Sequence, residues 1–355
     1  MSIDLKNLLR WYDRTARELP WRTYWQTHRD PWGVWLSEIM LQQTLVSVVV
    51  PAFSRVLAQY LDVRAFAAAD PEQLRLAFRG LGYYRRFDLL HRGARVLATS
   101  STKIAWPTTR EGWAELPGIG PYTSAALASI CNDELVGVVD GNVERVLCRV
   151  FDWREEIGTP SLKKKCQKIV DTWIAQEGAR ARPGDFNQAL MQIGQLLCTP
   201  QEPVCDACPM AKGCLARERR TQSLAPKVKV RREPVDVTLE LEILTRGARA
   251  ALVQRGDGSK FLRGSWGFPM QEKTSRSSTG RTNLGTVRHS ITHHRITAKV
   301  MTREVSSKQP RIATASNETK WLPHREVESA LLSNLDRKAW RLFERSVRTR
   351  KSSEG

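Results

Sequence analysis

Four cysteines limit this chain more than any other feature. In "CTPQEPVCDACPMAKGC", Cys198, Cys205, Cys208 and Cys214 are separated by six, two and five residues. Thiols this close force the segment to close on itself, through disulfides or around a metal. The chain opens with MSIDLKNLLRWYDR, which has early charges and no small-residue cleavage site, so it does not read as a signal peptide. A cytoplasmic setting is therefore expected, where thiols hold metal rather than pair. Four thiolates suit either zinc or an iron–sulfur cluster. Zinc knuckles usually come as two short pairs, whereas here one CxxC stands between longer gaps. That spacing favours a cubane, with zinc as the alternative. Redox catalysis is a second role for such a centre, but no flavin or nicotinamide fingerprint occurs. Cys131, Cys148 and Cys166 lie in helical patterns and read as small buried or half-buried residues.

A second constraint is "ELPGIGPYTSAALASI", starting at Glu115. Gly118 and Gly120 flank one aliphatic residue in a tight hairpin, and Pro121 suits the first turn of the helix that follows. N–H groups at such a helix start form an anion site; an ordinary core hairpin is the plainer reading. The formal net charge of +19 favours a polyanionic partner. No run nears the ~18 apolar residues of a membrane span.

Two carboxylates stand out. Glu38 lies inside "WLSEIMLQQT", where burial raises a carboxyl pKa and suits it to general acid work; Gln42, one turn on, would share its face. Asp140, before Gly141-Asn142-Val143, reads either as a helix N-cap or as an anion that stabilises a developing cation. Together they fit the two-carboxylate logic of glycosidic cleavage.

Apolar residues recur at helical spacing up to about residue 215, with helix starts expected at Asp70-Pro71 and Thr159-Pro160. The texture then changes. Seven Lys/Arg between Arg217 and Pro234 read as a basic linker. "VDVTLELEILTRGARAALVQR" alternates like a hairpin turning at its glycine, and a helix closes the chain. The stretch from Gln271 to Thr286 reads as a mobile loop. The expected organisation is a helical domain at 1–216, a linker at 217–234, an α+β domain at 235–345 and a disordered tail at 346–355.

LPWR, DPWGVWLSEIMLQQT, GLGYY, LPGIGPYT, VDGNV, FNQAL and the four-cysteine loop occur in this order. The chain thereby resembles the MutY adenine DNA glycosylases of the helix-hairpin-helix superfamily, closely over 8–216 and more faintly over 235–345. The resemblance implies a mainly α helix-hairpin-helix glycosylase domain with an iron–sulfur loop, followed by a smaller α+β Nudix-like domain. It implies a monomer acting on double-stranded DNA with adenine opposite 8-oxoguanine or guanine, in the cytoplasm or at a nucleoid.

By the same resemblance Glu38 protonates the extruded adenine, Asp140 stabilises the oxocarbenium-like sugar, and Tyr122 and Asn142 orient these groups. Arg22, Leu41 and Gln188 line the adenine pocket. Gln42, Gln43 and Tyr83 meet DNA, the last two as wedges, while Gly118 and Gly120 hold a phosphate. Cys198, Cys205, Cys208 and Cys214 bind a structural 4Fe-4S cluster. Thr292 and His293 read the lesion.

The chain also departs from the family pattern. Tyr122 stands where related lyases carry a nucleophilic lysine, which implies a monofunctional glycosylase. Gln192 stands where an acidic residue is expected, and the segment between Arg22 and Asp30 is a few residues longer than the family pattern. GLGYYRRFDLLH changes the usual basic pattern. Ile291-Thr292-His293 stands in for Phe-Ser-His, and no Nudix hydrolase box follows Gly264, which argues against nucleotide hydrolysis. Two rivals remain: a mismatch glycosylase for another base such as thymine, and a non-catalytic DNA-binding homologue. The Glu38 helix argues against the first, because protonating N7 needs a purine, and the presence of both carboxylates in apolar settings argues against the second.

Overall fold

Local chemistry sets where the helices begin. Asp30 accepts from the Trp32 N–H at 3.0 Å, Asp70 from Glu72 and Gln73 at 3.0 Å, and Thr159 from Leu162 at 3.4 Å. Each is followed by a proline, which lacks the donor that would otherwise go unpaired. The computed structural model describes residues 3–99, 103–227, 233–256, 258–272, 280–306 and 318–353. The chain divides into two compact units, 1–230 and 231–355.

The first unit is helical. It runs through α1 (Leu5–Thr15), α2 (Pro20–His28), α3 (Pro31–Leu41), α4 (Val46–Gln59), α5 (Val63–Ala68), α6 (Pro71–Ala77) and α7 (Arg85–Ala98). It continues with α8 (Arg110–Ala114), α9 (Pro121–Asn132), α10 (Gly141–Val150), α11 (Pro160–Ile174), α12 (Pro183–Leu196) and α13 (Leu215–Arg219). Every residue of α3 from Trp32 to Met40 is buried. A helix apolar on all sides must run through the core. The Trp35 ring meets those of Trp32, Trp106 and Trp113 edge-on at 6.2, 6.2 and 6.1 Å, an arrangement that favours ring quadrupoles.

The second unit is built on a seven-stranded sheet. Its elements are β1 (Val235–Arg246), β2 (Arg249–Gln254), β3 (Trp266–Gly267), β4 (Met270–Glu272), β5 (Thr282–Ile291), β6 (His294–Glu304), β7 (Thr319–Pro323), α14 (His324–Ala330) and α15 (Asn334–Ser353). The order is β3-β2-β1-β6-β5, with β4 paired to β1 and β7 to β2. β1 and β6 pair in parallel from Val235↔His294 to Thr245↔Glu304. Leu335, Ala339 and Trp340 of α15 fill the apolar layer on this sheet. Asp336 fixes that helix by accepting from Arg255 at 2.7 and 2.9 Å and from the Phe268 N–H at 3.0 Å. A buried pair satisfied this fully holds a unique packing rather than adding much net stability.

Three expectations change. The basic segment is not a free linker along its first half. α13 occupies Leu215–Arg219, Ala225 is buried, and Lys227 N–H donates to the Glu155 carbonyl at 3.0 Å. The tail expected at 346–355 is helical as far as Ser353, with no Pro or Gly to interrupt it, while residues 354–355 lie outside the described set. The loop expected over 271–286 is partly strand, in β4 and β5, while residues 273–279 lie outside the described set. Among the described residues no helix is long and apolar enough to cross a membrane.

Candidate active site

Glu38 projects from α3 into a cavity of about 460 Å³, whose lining also includes Arg22 of α2 and Gln188 of α12. It is only 8% exposed. Burial pushes its carboxyl from the ordinary 4.5 up to about 7. The Tyr122 hydroxyl and Arg22 pull it down, and the Asp140 charge pushes it up. A carboxyl poised near neutrality can hold a proton and release it to a base seated in the cavity. Arg22 donates through Nε to Gln188 Oε1 at 2.8 Å and through Nη1 to the Arg17 carbonyl at 3.0 Å. Gln192 lies behind it, accepting from Arg22 at 3.4 Å and donating to the Thr15 carbonyl at 2.8 Å. A carboxylate at this position could not make that donation.

Tyr122, in the first turn of α9, has one hydroxyl proton and two neighbours for it. It donates to Met191 Sδ at 3.2 Å and also lies beside Glu38. The charged carboxylate is the stronger acceptor. Burial and the Glu38 charge raise the phenol well above its ordinary range, so it remains a donor.

Asp140 caps α10, accepting from the Val143 N–H at 2.8 Å through one oxygen and from Asn142 Nδ2 at 2.7 Å through the other. It is the helix cap that the sequence allowed. Asn142 Oδ1 in turn accepts from Arg145 at 2.9 Å, and Arg145 also donates to the carbonyls of Gly194 at 2.6 Å and Cys198 at 2.7 Å. A Cβ on Gly194 would come within 2.6 Å of Asn142 Cβ, so the close approach of α12 to α10 requires glycine there.

Leu41 does not line the cavity; as the last residue of α3 it packs on the core. Gln42, the residue after α3, donates to Thr123 Oγ1 at 3.4 Å and lines an open cleft of about 340 Å³ with Gln43 and Tyr83. In the hairpin between α8 and α9, Gly118 has φ +83°, which favours glycine. Among the described residues neither the Gly118 nor the Gly120 N–H has a partner, leaving both available to an anion. Thr292 and His293 lie in the second unit as the two-residue turn between β5 and β6, with Thr292 exposed at φ +55° and His293 half-buried.

The four clustered cysteines line one small apolar-walled hollow. Arg149 Nη1 reaches Cys198 Sγ at 3.4 Å and Gln222 Nε2 reaches Cys205 Sγ at 3.6 Å. Donors aimed at sulfur suit thiolates that share a metal centre, so these residues fit an iron–sulfur cluster. No group of three or more metal-binding side chains meets at a single-ion site among the described residues. Sequence reasoning missed Arg145 and Arg149. Both are buried, and Arg149 also donates to the Thr199, Pro200 and Ala225 carbonyls at 2.6, 2.9 and 2.9 Å. Their signal was two arginines four apart within the apolar run VERVLCRVF.

Residues 36–172 match the HhH-GPD superfamily base excision DNA repair protein family. The chain is 32% identical over 410 residues to the adenine DNA glycosylase of Rattus norvegicus, covering 96% of this chain and 77% of that one. It is 41% identical over 222 residues to the adenine DNA glycosylase of Mus musculus, covering 60% of this chain and 41% of the relative. A solved structure of a thermostable thymine-DNA glycosylase aligns with a TM-score of 0.51 at 25% identity, over 61% of this chain and 95% of that one.

Proposed function

The chain belongs to the adenine DNA glycosylases, base excision repair enzymes that bind DNA and hydrolyse the N-glycosyl bond of adenine, and we propose that its substrate is adenine opposite 8-oxoguanine or guanine. The observation that carries the mechanism is Glu38, buried yet open to the cavity, with its carboxyl raised to about 7. Adenine turned out of the duplex enters the cavity that Arg22, Glu38 and Gln188 line. Glu38 gives its proton to N7, and the C1′–N9 electron pair leaves with the base. Asp140, held by Asn142 and the Val143 N–H, places a negative charge beside the developing sugar cation. Water then adds at C1′, its proton returning to the Glu38 carboxylate, to leave an abasic site and the acid restored. Tyr122 keeps the Glu38 carboxyl oriented through its hydroxyl.

The remaining roles follow the same reading. Gly118 and Gly120 hold a phosphate, which fixes register without reading sequence. Gln43 and Tyr83 enter the stack opened by base extrusion. Cys198, Cys205, Cys208 and Cys214 hold a 4Fe-4S cluster that, when bound, ties the loop after α12 into a fixed shape. The second unit is a Nudix-like lesion reader that uses Thr292 and His293. The absence of a lysine at position 122 makes the enzyme monofunctional.

Product analysis tests this directly. Duplexes carrying adenine, thymine or uracil opposite 8-oxoguanine or guanine are incubated with the protein, with and without later alkali. Release of adenine from both mispairs supports the reading. Release of thymine or uracil, or of no base, refutes it.

A further inference from the structure

Gln43 and Tyr83 reach the open cleft from separate segments, the connection between α3 and α4 and the loop before α7. Both are exposed, and both sit in the left-handed region, with φ of +57° and +48°. Residues without a glycine's freedom hold such angles only where their surroundings dictate them. The surroundings here converge on one side chain. Arg86, buried in the first turn of α7, donates to the carbonyls of Met40 at 3.0 Å and of Gln42, to Thr44 Oγ1 at 2.8 Å and to the Leu81 carbonyl at 3.2 Å. Gln42 and Thr44 bracket Gln43 in sequence, and Leu81 lies two residues before Tyr83. Thr44 Oγ1 also reaches the Leu81 carbonyl at 3.3 Å, closing a ring that joins the two segments.

Burial lowers the guanidinium to about 10, so it stays charged at neutral pH. Its planar fork can address several acceptors in fixed directions, which the single ammonium of lysine cannot. We infer that Arg86 is a positioning residue for base extrusion: it clamps the two left-handed turns together so that Gln43 and Tyr83 enter the duplex as one rigid unit. This rests on the wedge role proposed above. The competing account is that Arg86 only satisfies carbonyls left open at the end of α3, which would affect stability but not extrusion in particular.

Single-turnover excision on two duplexes separates these accounts. In one duplex, adenine opposite 8-oxoguanine is flanked by matched pairs. In the other, mismatched neighbours loosen the stack and lower the cost of extrusion. Arg86→Lys is expected to slow the matched duplex roughly tenfold more than the loosened one, the size that follows from relaxing one strained turn. Thr44→Val, which leaves the buried charge and its carbonyl partners in place, should show a smaller bias in the same direction, and carries the test should Arg86→Lys not fold. Adding Arg86→Lys to Tyr83→Ser should cost little beyond Tyr83→Ser alone. Equal slowing on both duplexes, or full additivity with Tyr83→Ser, overturns the clamp. If Tyr83→Ser itself slows both duplexes equally, the wedge reading falls instead.

Discussion

Glu38→Gln should make the protein more stable at alkaline pH while destroying its activity. The folded carboxyl titrates near 7 rather than at its ordinary 4.5, so the folded state holds this proton more tightly than the unfolded chain does. Stability from this group is complete below about pH 4.5 and falls as pH rises toward 7, where the buried carboxyl must ionise without a counter-charge in direct contact. At ~1.4 kcal/mol per pH unit, the loss amounts to about 3 kcal/mol. Glutamine keeps the shape and does not titrate. The advantage of Glu38→Gln over the wild type should therefore grow by about 3 kcal/mol between pH 4.5 and pH 8. Urea unfolding of both proteins across that range measures it, and the other carboxylates cancel in the difference. The same substitution should cut single-turnover excision by ~10²-fold or more, and the wild-type rate should decline above pH 7 as the acid loses its proton. A stability difference flat with pH would show Glu38 to be ionised throughout and would remove it as the proton donor.

Asp140→Asn should lose excision by ~10²-fold or more while retaining DNA affinity, checked by single-turnover kinetics and a binding titration. Purified protein should be brown with about four irons per chain, and Cys205→Ser should lower folded yield, because ligation and folding are coupled; a colourless active protein holding one zinc would refute the cluster. The wild type should leave an intact abasic strand that breaks only in hot alkali. Tyr122→Lys should add strand cleavage trapped by borohydride, since an amine there could form a Schiff base. Truncation after residue 230, beyond the contacts of Ala225 and Lys227, should preserve adenine excision opposite guanine. It should reduce the preference for 8-oxoguanine by about 1–3 kcal/mol, measured as a ratio of rates on the two duplexes at matched salt.

Sequence by itself determined whatever depends on neighbours along the chain. Caps such as Asp30 and Asp70 act within three residues, the Gly118–Gly120 turn is set by six consecutive residues, and four cysteines within one short segment must meet. Glu38 was legible because a charge inside an apolar helical run is costly wherever that helix packs. Only the tertiary structure decided what long-range packing brings together. Arg22, Glu38 and Gln188 meet at one cavity although they come from α2, α3 and α12, whereas Leu41 turns to the core and Gln42 to a different cleft. Arg145 and Arg149 went unread because their partners, the carbonyls and sulfur of the loop after α12, come from about fifty residues further along the chain. The basic segment after α13 read as a solvated linker because charge dominates its composition. Its backbone nonetheless docks, since Arg149 donates to the Ala225 carbonyl and the Lys227 N–H donates to the Glu155 carbonyl, each across a gap of seventy residues or more that no local pattern encodes.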